Sequence, residues 1–121
     1  MNYFKLDTPA LIIDKDIMIS NLKNMQNYAS EKNVSLRPHT KTHKMSKIAL
    51  LQEELGAKGV TVAKVGEAEV MAANGLKDIF IANEIVGEIK LQRIRKLAEI
   101  INISFGLDSI VQAEMVEKVF E

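Results

Sequence analysis

The stretch GVTVAKVGEAEVMAANGLKDIFIAN, residues 59–83, holds a complete strand–helix–strand unit and decides the fold class. Residues 59–64 (GVTVAK) read as a short strand dense in valine and threonine. Residues 66–73 (GEAEVMAA) are helix formers, and Asn74-Gly75 supplies a stop signal. Residues 79–83 (IFIAN) are a further strand. Strand, crossover helix and strand in so short a span imply a right-handed βαβ unit and a parallel sheet. The strands are short and rich in Val, Ile and Phe, as expected where both sheet faces are covered.

The same alternation continues in both directions. Residues 88–99 predict a helix with Leu91, Ile94 and Ala98 inward, and residues 101–107 a strand. Ser109 caps a last helix with Val111, Met115 and Val119 as its apolar positions. On the amino side, Ser46 caps a helix carrying Ile48, Leu51 and Leu55 and ending at Gly56. Residues 34–41 read as a strand before it. Asp14 caps a helix with Met18, Leu22, Met25 and Ala29 on one face, and residues 9–13 form a short apolar run.

With 121 residues, the chain suffices for one small α/β domain. Sixteen basic and sixteen acidic residues balance to zero net charge. No excess positive charge is available for nucleic acid or an anionic membrane surface, so neither partner is expected. Hydrophobic residues at 47% and charged residues at 26% exclude a disordered tail. Absence of cysteine excludes disulfides and thiolate metal sites within these residues. No apolar run is long enough to span a bilayer and no secretory leader is visible, so a cytoplasmic protein is expected.

Two architectures fit, an open doubly wound sheet and part of a (β/α)8 barrel. Each apolar strand ends on polar residues: Lys41 and His43, then Lys64, then Asn83 and Glu84, then Asp108. Both architectures bind ligands beyond the carboxyl ends of their strands. A whole barrel needs roughly 250 residues, so the βα units here amount to about half of one. The chain also stops inside an amphipathic helix without a stop signal, as a partial barrel would.

Residues 36–44 (LRPHTKTHK) carry the chemistry. Strand periodicity puts Val34, Leu36, Pro38 and Thr40 on one face and Arg37, His39, Lys41 and His43 on the other. Four nitrogen-bearing side chains on one face of a buried strand need a partner, and an anionic ligand or cofactor would supply it. By spacing alone, a run of Lys and His leaving a strand is more often a solvated loop. On a helix, His39 and His43 would suit a metal pair, but the segment reads as strand with no third ligand nearby. Lys64, Asn83 and Asp108 taken singly are ordinary strand ends. Glu67 and Glu69 read as acidic residues favourable in a first helical turn. No glycine-rich phosphate loop is present.

Residues 7–11 (DTPAL), 37–44 (RPHTKTHK) and 62–69 (VAKVGEAE), in this order, resemble the D-threonine aldolase and D-serine dehydratase family, alanine-racemase-like enzymes that use pyridoxal 5'-phosphate (PLP). Residues 81–84 (IANE) and 106–109 (GLDS) look like later landmarks of the same barrel. The resemblance implies that residues 14–121 are the N-terminal half of a PLP-binding (β/α)8 barrel, and that residues 1–13 contribute a strand to a separate β-domain. It implies that Lys41 forms the Schiff base with PLP, and that Arg37, His39, His43, Lys64, Asn83 and Asp108 surround the cofactor. It also implies a divalent metal, manganese or zinc, whose ligands lie outside these residues, a D-amino acid substrate and a homodimer.

A lysine attacks an aldehyde only as the neutral amine, a form that neighbouring cations favour. Arg37, His39 and His43 are the expected source of that environment. The reaction implied is cleavage of a β-hydroxy-D-amino acid between Cα and Cβ, or elimination of its β-hydroxyl. The alternative is a non-catalytic PLP-binding or homeostasis barrel, or an inactive remnant. Residues 1–121 alone are expected to be inactive and to self-associate through an open sheet whose Val, Ile and Phe side chains lack cover.

Overall fold

The computed structural model describes residues 3–121. Among them, three parallel strands, β1 (Val60–Val62), β2 (Asp78–Glu84) and β3 (Asn102–Gly106), lie side by side in chain order. Helices α1 (Lys15–Glu31), α2 (Ser46–Glu54), α3 (Val65–Ala73), α4 (Glu88–Ala98) and α5 (Ile110–Phe120) complete the fold.

Helix starts follow from local chemistry. The Asp14 carboxylate accepts from Asp16 N at 3.0 Å and Ile17 N at 3.1 Å, satisfying two of the free donors that open α1. At α5, Ser109 Oγ accepts from Gln112 N at 3.3 Å, while Gln112 Oε1 accepts from Asp108 N at 2.9 Å. This reciprocal pair draws Gln112 inward, so α5 buries Gln112 and Val119 and leaves Val111 exposed. Ser46 is the first residue of α2 and not its cap. The cap position is Met45, whose N–H is already held by His43 Nδ1 at 3.0 Å. In α4 the inward residues are Leu91, Ile94 and Leu97, with Leu97 taking the place expected for Ala98.

Registers Val60↔Ile79, Val62↔Ile81, Ile79↔Ile103 and Ile81↔Phe105 align one apolar row after another. Val60, Val62, Ile79 and Ile81 are wholly buried against Ala49 of α2, Ala68 and Met71 of α3, and Leu91 and Ile94 of α4. Each large aliphatic side chain buried there stabilises the fold by about 1.5–3 kcal/mol. The alternate row, Thr61, Phe80 and Ser104, occupies the other face, where Thr61 is buried, Phe80 half-buried and Ser104 exposed. The open face is therefore small and polar apart from Phe80, and the uncovered Val and Ile side chains expected there are turned to the helices instead.

Residues 34–41 do not form the expected strand. They run extended beside β1, with Lys58 N bonded to Leu36 O at 2.9 Å, Thr61 N to Pro38 O at 2.7 Å, and one bridge, His39 with Thr61. Pro38 has no N–H to donate, and at Thr40–Thr42 the chain winds into a single 3-10 turn that ends the pleat. Residues 9–13 are likewise without regular structure.

Candidate functional site

Parallel strands put all their carboxyl ends on one rim, and the 3-10 turn bearing Lys41 stands at its first position. Local bonds fix that turn. Thr40 is buried, and its Oγ1 donates to Thr61 O at 3.2 Å. His39 Nδ1 accepts from Lys41 N at 3.1 Å. Thr40 O receives His43 N at 3.2 Å and Lys44 N at 2.7 Å, with Lys44 in a left-handed conformation at φ 51°. The turn so held presents Lys41 to the exterior, and its Nζ has no hydrogen-bond or ion-pair partner among the described residues.

Next along the rim, Glu67 in the first turn of α3 accepts from Ala63 N at 2.8 Å through Oε2 and pairs with Lys44 Nζ at 3.2 Å through Oε1. Burial alone would raise this carboxyl, but the Ala63 N–H, Lys44 and Lys64 outweigh it and hold Glu67 below the ordinary glutamate range. Asn83 Nδ2 donates to Ala63 O at 3.3 Å. A hydrogen-bonded chain thus runs from Asn83 at the end of β2, through Ala63, to Glu67 and Lys44. Sequence reasoning gave Glu67 only a helix-start role; the available signal was its place four residues after Ala63, at the carboxyl end of β1. Lys64 caps α3 by position and is exposed, as is Asp108 beyond β3. Gly106 closes on the rim, where an added Cβ would lie 3.3 Å from Asn83 O.

Two residues expected beside Lys41 are elsewhere. Arg37 is level with Gly59 at the amino end of the sheet, and its guanidinium pairs with Asp78, the first residue of β2. Pro38, His39 and Thr40 lie between it and Lys41, and the chain runs extended only as far as His39 before the 3-10 turn begins. The Arg37 hydrogen bond holds the Asp78 carboxyl well below the usual aspartate range, against the pull of burial. Arg37 therefore ties down the amino end of the sheet and does not reach the rim. His43 follows the 3-10 turn, which breaks the alternation, so it turns towards α2. Burial lowers its imidazole below the ordinary value, partly offset by Gln52. With Nδ1 accepting from Met45, its other nitrogen faces the helix side. Of the expected cationic neighbours only His39 remains at the Lys41 turn, acting as an acceptor. Among the described residues no group of three or more His, Cys, Asp and Glu side chains could hold a metal ion, and no helix is long and apolar enough to cross a membrane.

A parallel α/β sheet with helices on one face, an open inner face and a lysine-bearing turn on the carboxyl rim defines the N-terminal part of an alanine-racemase-like barrel. The family model described as alanine racemase, N-terminal domain, matches residues 13–121, and the chain belongs to that family. It is 44% identical over 105 residues to a D-threonine aldolase of Arthrobacter sp, covering 87% of this chain and 28% of that protein. The crystal structure of D-threonine aldolase from Filomicrobium marinum superposes with a TM-score of 0.92 at 44% identity, covering 93% of this chain and 31% of the other. D-threo-3-hydroxyaspartate dehydratase from Delftia sp. HT23 superposes at 0.87 with 35% identity, covering 94% and 30%. The chain spans about 30% of the length of these relatives.

Proposed function

We propose that this chain is the cofactor-anchoring part of a PLP-dependent lyase acting on β-hydroxy-D-amino acids, with Lys41 as the covalent anchor. The observation that carries the reading is the free Lys41 amine, held on a rigid turn at the carboxyl rim. The residues present fit the cofactor: an amine without a competing ion pair is available for an aldehyde, on a turn held at the carboxyl rim. The chemistry the cofactor supplies when bound is an electron sink for charge developing at the substrate α-carbon.

This chain's residues do the positioning. Lys41 binds the cofactor through Nζ, His39 fixes the Lys41 backbone by accepting its N–H, and Thr40 ties the turn to β1. Lys64, Asn83 and Asp108 border the same rim and are available to its polar groups. Carbon–carbon cleavage is preferred over dehydration because identity is higher to the aldolases named above than to the dehydratase. A divalent metal, manganese or zinc, at the substrate hydroxyl, a homodimeric assembly and a cytoplasmic location complete the proposal.

Absorbance tests the anchor directly. Adding PLP to the chain should produce a visible band of a lysine adduct that borohydride abolishes, and Lys41→Ala should lose most of it while keeping its far-ultraviolet circular dichroism. An unchanged band in Lys41→Ala would remove the basis of the reading.

A further inference from the structure

We propose that Glu67 is a positioning residue for Lys41, clamping the turn that carries it to the ends of β1 and β2. The inference rests on the reading of Lys41 as the cofactor anchor. The turn is pinned at its base by Thr40, whose hydroxyl donates to Thr61 O, and by the His39–Lys41 bond. The exit is closed on itself by Lys44 N on Thr40 O at 2.7 Å and Met45 N on His43 Nδ1 at 3.0 Å, bonds that stay within the turn and do not tie its exit to the sheet. Lys44 is where the backbone turns back at positive φ, a conformation unfavourable for a non-glycine residue that persists only where surroundings enforce it. Glu67 adds to those local bonds the side-chain tie from the exit to the sheet. One carboxylate oxygen takes Lys44 Nζ and the other takes Ala63 N–H, so a single side chain joins the exit of the Lys41 turn to β1. Ala63 O in turn receives Asn83 from β2, which carries the tie to a third rim segment.

The residue type follows from the donor count. Both partners donate, so both oxygens must accept, and a carboxylate is the side chain that does this at glutamate length. A glutamine would turn its NH2 towards one donor and lose that bond. An aspartate is one methylene too short to reach both. The Glu67 side chain is only 11% exposed, whereas that of Lys44 is 60% exposed, so the clamp can be opened from the Lys44 end without disturbing packing.

The test compares the wild-type chain with Glu67→Gln and Lys44→Met by amide hydrogen exchange and by borohydride trapping of added PLP. In both variants the Lys44 and Met45 amides should exchange about tenfold faster, as expected for loss of one charge-assisted hydrogen bond, while the amides of Ile79 and Ile81 keep their protection. The rate of trapping at Lys41 should fall severalfold, Glu67→Asp should not restore it, and the double variant should be no worse than either single one. Unchanged turn exchange and unchanged Lys41 trapping in Lys44→Met would overturn the clamp, even if Glu67→Gln proved unstable. Trapping of the wild-type chain on a lysine other than Lys41 would instead defeat the anchor reading, with the exchange measurement still deciding the clamp.

Discussion

Lys41 and Arg37 are four residues apart, and a uniform strand would put both on one face; what separates their roles is how far each lies along the sheet. Arg37 crosses in front of Gly59 to reach Asp78, and a Cβ at Gly59 would come 2.9 Å from the Arg37 guanidinium and closer still to the Asp78 carbonyl. Only glycine leaves this passage open. Gly59→Ala should therefore destabilise the chain by about 3 kcal/mol or more, measured by urea denaturation, because backbone as well as the ion pair must move. A loss below about 0.5 kcal/mol would show that the Arg37–Asp78 bridge does not need the gap. The place of Lys41 at the carboxyl end of its segment was legible in the residues around it. Arg37's true partner was not, because Asp78 is remote in sequence and its pairing emerges only from the strand register.

At the scale of elements, the strand–helix alternation and most caps were readable because each depends on neighbours a few residues away: Asp14 for α1, Asn74-Gly75 for α3, Ser109 for α5. Residues 34–41 were misjudged because side-chain pattern does not report ladder bonds. Pro38 and the turn at Thr40 remove the pairing that a strand requires. Helix α1 shows a second limit: its apolar face was correctly periodic, yet it buries only Ala29, and Met25 stays half exposed. Between α1, α2 and residues 36–38 lies a cavity of about 280 Å³ lined by Leu22, Met25, Leu36, Leu55 and the two glutamines Gln26 and Gln52. Gln26 Oε1 is buried without a partner. Its Nε2 donates only a long, exposed bond to Ser30 Oγ at 3.3 Å, so Gln26→Met, which keeps the volume and removes the orphaned acceptor, should raise stability by about 1 kcal/mol or less in urea denaturation. A loss of similar size would mean that the Ser30 bond outweighs the orphaned oxygen.

For the whole molecule, titration and assembly follow from the same charges and surfaces. The Arg93 guanidinium lowers Glu69, as Arg37 lowers Asp78 and the Ala63 N–H with Lys44 lowers Glu67. A carboxyl lowered in the folded state contributes stability above its unfolded pKa, about 4, and loses it as pH falls through the folded value. His43, lowered by burial, adds an earlier loss as pH drops below about 6.5, since the unfolded imidazole takes up its proton first. Glu53, raised by burial and by Asp78, works in the opposite sense just above the ordinary glutamate value. Urea midpoints measured against pH should thus fall in two stages, and His43→Gln should remove the upper one. An upper stage that persists in His43→Gln would place that titration elsewhere.

Assembly depends on the sheet. Among the described residues β3 pairs with β2 alone, which leaves its other edge without a strand partner. Because the open face is polar apart from Phe80, edge pairing is the expected route of self-association. Light scattering after size exclusion should find a dimer or larger species for this chain, and a monodisperse monomer would contradict that.

The central claim, that the turn on the barrel rim exists to present one lysine to PLP, is tested most directly by peptide mapping. The 121-residue chain is mixed with PLP, reduced with borohydride, digested and sequenced by mass spectrometry. The account predicts that the pyridoxyl group sits predominantly on Lys41, with Lys44 and Lys64 minor although both are exposed on the same rim. Predominant labelling of Lys44 or Lys64, or an even spread over the surface lysines, would contradict it.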